Sequence, residues 1–215
     1  MLDKVFPKIH QEGYKFLIIA ILITIVLYFV SHFLGLICLV LTIWVYYFFR
    51  DPERISINDE NYLVSPADGL VLDVSEKKGP KELGLENKDF KKISIFMNVF
   101  DCHVNRSPCS GKISEIFYKP GKFINASLDK SSEDNERNYY KIINKQSEEV
   151  IVVQIAGLIA RRIVCESSEN QEVAQGSRIG MIRFGSRVDM YFEKYNPLVK
   201  INQKTIAVET LFANK

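Results

Sequence analysis

The sequence predicts a mainly β domain that carries a membrane-inserted helical hairpin at its N-terminal end, and three observations predict it. Residues 16–49 hold no charged side chain. Beyond them, short β-branched and aromatic runs alternate with Pro, Gly, Ser and Asn clusters. Finally, Ser65-Pro66-Ala67-Asp68-Gly69-Leu70-Val71 and Ser107-Pro108-Cys109-Ser110-Gly111-Lys112-Ile113 each read as a proline turn, a glycine and a strand.

Within 16–49 only Thr24, Ser31, His32, Gly35 and Thr42 interrupt the apolar side chains. A single helix over that run would be roughly 50 Å long at about 1.5 Å per residue, against a hydrocarbon core of about 30 Å. One upright span fits poorly. Ser31-His32, with Gly35 close behind, divides the run into Phe16–Val30 and Phe33–Phe49, which predicts a tight hairpin inserted from one side. The run is too long for a signal-peptide core, and no small-residue cleavage site follows it. Lys4, Lys8 and Lys15 before it and Arg50 and Arg54 after it would then share one face, which the positive-inside bias assigns to the cytoplasm. The cytoplasmic face of the cell membrane is therefore the expected location. The alternative is a hairpin buried in a soluble protein. His32 reads as an interfacial turn residue.

Arg50-Asp51-Pro52 ends the run, because proline disfavours helix at itself and before itself. The expected division is a hairpin over 1–50 and a β-rich catalytic domain over 51–215. Strands are expected at Gly69–Val74, Ile93–Val99, Lys112–Tyr118, Val150–Ile155, Arg161–Glu166, Ile179–Arg183 and Val188–Phe192. A helical turn or two is expected in Phe123–Lys130, and a solvated loop over Leu128–Asn138. The paired Ser-Pro turns resemble those of the barrel-sandwich hybrid of biotinyl and lipoyl carrier domains, which implies a fold of that kind.

The formal charge of +2 supplies no basic stripe, so nucleic acid is not an expected partner. Four cysteines without a C-x-x-C pair and three histidines argue against a metal centre and a disulfide framework.

The chemically informative segment is Arg183-Phe184-Gly185-Ser186-Arg187. A Gly-Ser pair among strands is usually a turn. It is also the pair that permits backbone self-cleavage: glycine tolerates unusual torsions, and a following serine hydroxyl can attack the glycine carbonyl. Such a reaction needs a base. His103 is the only histidine outside the N-terminal part, and Asp68 is a candidate to orient it as carboxylates do in serine triads.

Phe184-Gly185-Ser186, Gln154-Ile155-Ala156-Gly157 with Ala160-Arg161-Arg162-Ile163, the Asp129–Asn138 loop, Ser65–Gly69 and His103–Pro108 together resemble the short bacterial and archaeal form of phosphatidylserine decarboxylase. The resemblance runs from about Arg50 to the C-terminal end, and the double apolar segment is also typical. It implies a proenzyme cleaved between Gly185 and Ser186 into large and small chains, with a covalent pyruvoyl cofactor made from Ser186. It implies Asp68, His103 and Ser186 as the self-cleavage set, and phosphatidylserine in the membrane as substrate. Larger members carry two histidines in this loop. His103 matches the first and Arg106 stands where the second would be, so the resemblance does not fix the cleavage base. Arg161, Arg162 and Arg106, with Arg187, are candidates to hold phosphate or carboxylate. The chain is compatible with a homo-oligomer. Two other readings compete: a membrane-anchored, non-enzymatic adaptor or scaffold of the biotinyl/lipoyl type, and a serine hydrolase using Ser186, although Ser186 lacks a G-x-S-x-G setting.

Overall fold

The computed structural model describes residues 7–124, 126, 134–158, 162–183 and 186–215. They divide into two compact units, Met1–Glu53 and Arg54–Lys215, just past the boundary expected from the proline.

In the first unit, helices α1 (Gly13–Val30) and α2 (His32–Phe48) run antiparallel. The break between them is a single residue, Ser31, which is extended at φ −157° and ψ 123°. Two features let the helices meet. A Cβ on Gly35 would stand 2.6 Å from the Tyr28 Cα, so only glycine permits that approach. The Thr24 and Thr42 hydroxyls share a hydrogen bond of 2.8 Å between the arms, which satisfies two polar groups that lipid could not. α1 has a mean hydropathy of 2.3 over 18 residues, long and apolar enough to cross a membrane. Most apolar side chains of both helices are exposed.

The second unit is mainly β. Its strands are β1 (Tyr62–Val64), β2 (Gly69–Lys78), β3 (Asp89–Met97), β4 (Val104–Arg106), β5 (Gly111–Lys119), β6 (Arg137–Asn144), β7 (Glu149–Ala156), β8 (Arg162–Cys165), β9 (Glu172–Val173), β10 (Arg178–Arg183), β11 (Ser186–Phe192), β12 (Asn196–Pro197), β13 (Lys204–Thr205) and β14 (Leu211–Asn214). Eight form one sheet in the order β13-β2-β3-β11-β7-β6-β5-β9, which curls into a half-barrel. Two three-stranded sheets, β1-β14-β12 and β4-β10-β8, complete the unit.

That order repeats itself. Read inward from one edge, β13-β2-β3-β11 matches β9-β5-β6-β7 read from the other, and β1-β14-β12 matches β4-β10-β8. The two Ser-Pro turns are the hinge of this internal two-fold. Ser65 Oγ donates to the Ala67 carbonyl at 2.8 Å and Ser107 Oγ to the Cys109 carbonyl at 2.7 Å. The turns also clasp each other, Val64 N–H reaching the Pro108 carbonyl at 3.0 Å and Arg106 N–H the Pro66 carbonyl at 2.9 Å. The echo in the sequence is thus a structural repeat.

Alternation along the strands builds two cores on the two faces of the large sheet. Val188, Met190 and Phe192 of β11 join Ile93, Ile95, Val150 and Val152 on one face. Leu83, Leu85, Phe90, Tyr139, Ile151, Val153 and Ile155 cluster on the other.

Two expectations need correction. The solvated loop foreseen over Leu128–Asn138 is partly strand: β6 begins at Arg137, and Asn135, Glu136, Arg137 and Asn138 are buried. Most of the rest of that loop, and much of the turn expected at Phe123–Lys130, lies outside the described residues. In addition the strand expected from Ile93 to Val99 ends at Met97, because Asn98 turns the chain: its side chain accepts the Phe100 N–H at 2.8 Å and the Asp101 carboxylate accepts the Asn98 N–H at 2.9 Å.

Candidate active site

Ser186 opens β11, the strand at the centre of the large sheet. Its register places it opposite Met97, the last residue of β3, and opposite Ala156, the last of β7. Ser186 is fully buried, and its hydroxyl donates to the Met97 thioether at 3.4 Å. The chain reaches Ser186 from β10, which belongs to a different sheet. Gly185 lies outside the described residues.

His103 precedes β4 and is fully buried. Its Nδ1 stands 2.9 Å from the Asp101 carbonyl. A carbonyl only accepts, so Nδ1 carries a proton. The His103 carbonyl accepts the Ile182 N–H at 3.3 Å, tying the histidine to the strand that leads to Ser186.

Asp68 follows the first Ser-Pro turn and is also buried. Its carboxylate is gripped by Arg54, Nη1 to Oδ1 at 2.6 Å and Nη2 to Oδ2 at 2.8 Å, and Oδ1 further accepts the Ala207 N–H at 2.8 Å. Burial alone would lower the Arg54 pKa, but the hydrogen bonds and charge of Asp68 outweigh it and hold the guanidinium above its ordinary value. The described hydrogen bonds of Asp68 therefore go to Arg54 and Ala207, and do not include His103.

Arg106, on β4, is buried and donates to the Gly176 carbonyl at 3.1 Å. Arg162 is exposed at the start of β8, opposite Arg183. Arg161 lies outside the described residues. Arg187 is removed from the Ser186 side chain by the strand's alternation: it faces the second core, where Nε meets Asp189 at 2.6 Å and Nη2 meets Ser94 at 2.9 Å. Lys92 completes that cluster at 3.2 Å from Asp189.

Sequence reasoning missed a buried polar chain beside Ser186. Tyr140 OH donates to the Ile179 carbonyl at 2.8 Å and lies 3.0 Å from the side-chain amide of Gln154, whose Oε1 accepts from Asn138 Nδ2 at 3.3 Å. Gln154 Nε2 donates to Asn105 Oδ1 at 2.9 Å, and Asn105 Nδ2 points to the Met97 sulfur at 3.7 Å. Burial pushes the Tyr140 phenol well above its ordinary pKa, so it remains a donor. For Gln154 the signal was present: it interrupts the apolar run of β7, where an uncharged polar side chain is retained only with a partner.

A family model described as phosphatidylserine decarboxylase matches residues 41–213. The chain belongs to the phosphatidylserine decarboxylase family. It is 78% identical over 215 residues, the whole of both chains, to a protein of Pelagibacter ubique named phosphatidylserine decarboxylase proenzyme. Proteins of the same name from Ruegeria pomeroyi and Cereibacter sphaeroides are 49% and 47% identical over all of this chain, covering 98% and 93% of theirs. Membership of this decarboxylase family makes the chain an enzyme and sets aside the adaptor and hydrolase readings.

Proposed function

We propose that the chain converts phosphatidylserine to phosphatidylethanolamine and carbon dioxide after cutting itself between Gly185 and Ser186. The observation that carries this reading is the buried hydroxyl of Ser186 at the head of the central strand, against the Met97 thioether rather than at an exposed turn. Ser186 Oγ adds to the Gly185 carbonyl carbon, the C–N bond breaks, and the proton passes to the Ser186 nitrogen, leaving an ester. Loss of the Ser186 Cα proton then breaks the Cβ–O bond and frees Gly185 as a carboxylate. The dehydroalanine that remains tautomerises, takes up water and loses ammonia, giving a pyruvoyl group.

His103 is the proposed base, the histidine whose Nδ1 is held by the Asp101 carbonyl and whose main chain is tied to the strand leading to Ser186. Asp68 is the acidic member of the set that the resemblance implies. With Arg54 and the Ala207 N–H on its carboxylate, its influence on His103 is that of a neutralised pair. The surroundings of the Ser186 hydroxyl suit a small keto group, because Met97, which it contacts, is buried and carries no charge. The pyruvoyl group supplies an electrophile for the substrate amine and an electron sink for the bond to carbon dioxide. His103 returns the proton at the substrate Cα, and Arg106, Arg161 and Arg162 hold phosphate and carboxylate.

The hairpin places this chemistry at the cytoplasmic face of the cell membrane, where the lipid is. Its support is the exposed apolar surface of α1 and α2, at about 27 Å for an 18-residue helix close to the hydrocarbon thickness of about 30 Å. Deleting residues 1–50 should reduce activity on vesicles more than activity on a short-chain soluble phosphatidylserine. Equal losses would count against this role.

Intact mass and denaturing electrophoresis test the cleavage. The expected products are chains 1–185 and 186–215, the latter blocked as a ketone, with Ser186→Ala uncleaved and Ser186→Cys cleaved slowly. A wild-type product of full length with an unmodified Ser186 would overturn the reading. Release of carbon dioxide from carboxyl-labelled phosphatidylserine tests the substrate.

A further inference from the structure

We infer that the cavity on the face of the large sheet turned away from the Ser186 side chain binds a phosphate dianion, with Lys92, Arg137 and Tyr139 as its donors. The inference is independent of the self-cleavage reading and concerns residues that it does not use.

Alternation along β11 sends the Ser186 hydroxyl to Met97 in the first core and turns Asp189 and Tyr191 to the other face. On that other face lies a cavity of about 810 Å³, within the range of about 300–1,000 Å³ usual for small-molecule sites. Its lining comes from β2, β3, β6, β7 and β11, and the turn that carries Lys81 and Glu82 supplies a further wall. The register sets Tyr139, Val153, Asp189 and Ser94 in one row across four strands.

The charges beside this cavity are unequal. Asp189 is shared by Arg187, with Nε at 2.6 Å, and Lys92 at 3.2 Å. Glu82 is shared by Lys119 at 2.8 Å and Arg137 at 3.4 Å. In each case the shorter contact belongs to a cation outside the lining and the longer to one that lines the cavity. Four cations thus meet two carboxylates, an excess of two positive charges among these described side chains. Lys92 and Arg137 are each only 8% exposed, so water offsets little of it, and a desolvated charge is costly unless compensated. Farther out, Lys77 and Lys81 are matched in number by Asp73 and Glu86, and Lys78 pairs with Asp89 at 2.9 Å. The excess therefore belongs to the floor.

Tyr139 points to a ligand independently. It lines the cavity, is 1% exposed, and its hydroxyl makes no hydrogen bond among the described residues. Glu82 and Asp189 both act on its titration, so the phenol stands within reach of both shared carboxylates, although Glu82 accepts no hydrogen bond from it. Burial raises its pKa more than Arg137 lowers it, so the phenol keeps its proton and remains a donor. A phosphate monoester carries about −1.5 to −2 at pH 7, which matches the excess. Its oxygens can accept from an ammonium, a guanidinium and a phenol together.

The test is made on the full chain in detergent, by melting temperature and titration calorimetry. Inorganic phosphate and glycerol 3-phosphate are the soluble probes, phosphatidic acid in phosphatidylcholine vesicles is the lipid probe, and chloride at equal ionic strength is the control. A rise in melting temperature beyond chloride with the soluble probes assigns a free phosphate ester, and a rise with phosphatidic acid alone assigns a lipid headgroup. Either supports the inference when Lys92→Met weakens binding about tenfold or more, as loss of a charge-assisted hydrogen bond should. Arg187 remains on Asp189 in that variant, so no buried carboxylate is stranded. Tyr139→Phe keeps the ring and should weaken binding several-fold; it carries the test if Lys92→Met does not fold. No rise beyond chloride with any probe overturns the inference, as does an unchanged affinity in either variant. Binding lost in Arg162→Met but kept in Lys92→Met also overturns it, because the phosphate would then sit with the arginines proposed for the substrate.

Discussion

Gly180→Ala is the substitution whose cost the structure sets most directly. The added Cβ would overlap the Val164 carbonyl oxygen on the paired strand β8 and sit 2.9 Å from the Tyr140 hydroxyl. The first of these atoms is backbone, so β8 or β10 must move, and overpacking of this kind costs typically about 1–3 kcal/mol. Displacing Tyr140 also loosens its hydrogen bond to Gln154, a further contribution of roughly 0.5–1.5 kcal/mol. Alanine gains about 0.4–1 kcal/mol by restricting the unfolded chain, too little to offset the rest. The net is a destabilisation of about 0.5–4 kcal/mol, which at roughly 2–4 °C per kcal/mol for a chain of this size lowers the melting temperature by one to several degrees. The assay is thermal unfolding of the purified chain, with the self-cleavage rate measured on the same sample below the transition. We expect both to fall, and cleavage to fall further than in a surface variant of equal stability loss. An unchanged melting temperature would show that β8 and β10 are not packed as described. An unchanged cleavage rate at reduced stability would show that the Tyr140–Gln154 chain does not serve the site.

Two other perturbations follow. Arg54→Met should strand the buried Asp68 carboxylate and cost about 3–5 kcal/mol, and adding Asp68→Asn should recover most of it; a loss in unfolding temperature of the single variant no larger than that of the pair would contradict this. Burial alone would raise the Glu82 pKa, but the Lys119 hydrogen bond at 2.8 Å and the charge of Arg137 hold it below its ordinary value of 4.5. A depressed carboxylate stabilises above its unfolded pKa and loses that contribution as pH falls through the folded one. Melting temperature should therefore drop as acid takes the pH below about 4.5, less steeply in Glu82→Gln, and equal slopes would argue against the pair.

The parts legible in the sequence were those set by local chemistry. Ser31-His32 and Gly35 mark the hairpin because one polar pair is enough to interrupt an apolar helix, and the helices end and restart on either side of Ser31. The Ser-Pro turns announced themselves by identical side-chain roles. β6 was missed because Arg137 and Asn138 are polar, and polarity suggests solvent; here Asn138 faces Gln154 and Arg137 lies 3.4 Å from Glu82. Short strands such as β4 and β9 exist only because long ones pair with them, and no local pattern encodes that. Around the candidate site, Ser186 and His103 could be chosen by residue type alone. The partner of Asp68 could not: Arg54 is just outside the proline turn in sequence, and its approach depends on the closure of the C-terminal strands around Ala207. Arg187 was a reasonable anion ligand by type, but alternation from Ser186 turns it to the other face.

The internal two-fold explains where a cut can be made. β11 belongs with β3, as β7 belongs with β6, yet the chain reaches β11 from β10 in the opposite half. The chain thus passes from one half into the other between β10 and β11. A break there removes no strand from its neighbours, since β11 is paired along its whole length with both β3 and β7. Val188, Met190, Phe192, Tyr195, Val199 and Phe212 anchor the 186–215 segment in the core, and at roughly 1.5–3 kcal/mol for each buried side chain they hold it without the covalent link. The order of events also matters. A chain that began at Ser186 before folding would carry a charged amino group to a position with no solvent exposure, at a desolvation cost of several kcal/mol. A chain that folds whole and is then cut there, losing that nitrogen as ammonia, delivers an uncharged electrophile to the same place. Under the proposed self-cleavage, synthesis as a single precursor is what would let a reactive terminus stand in the interior of the sheet.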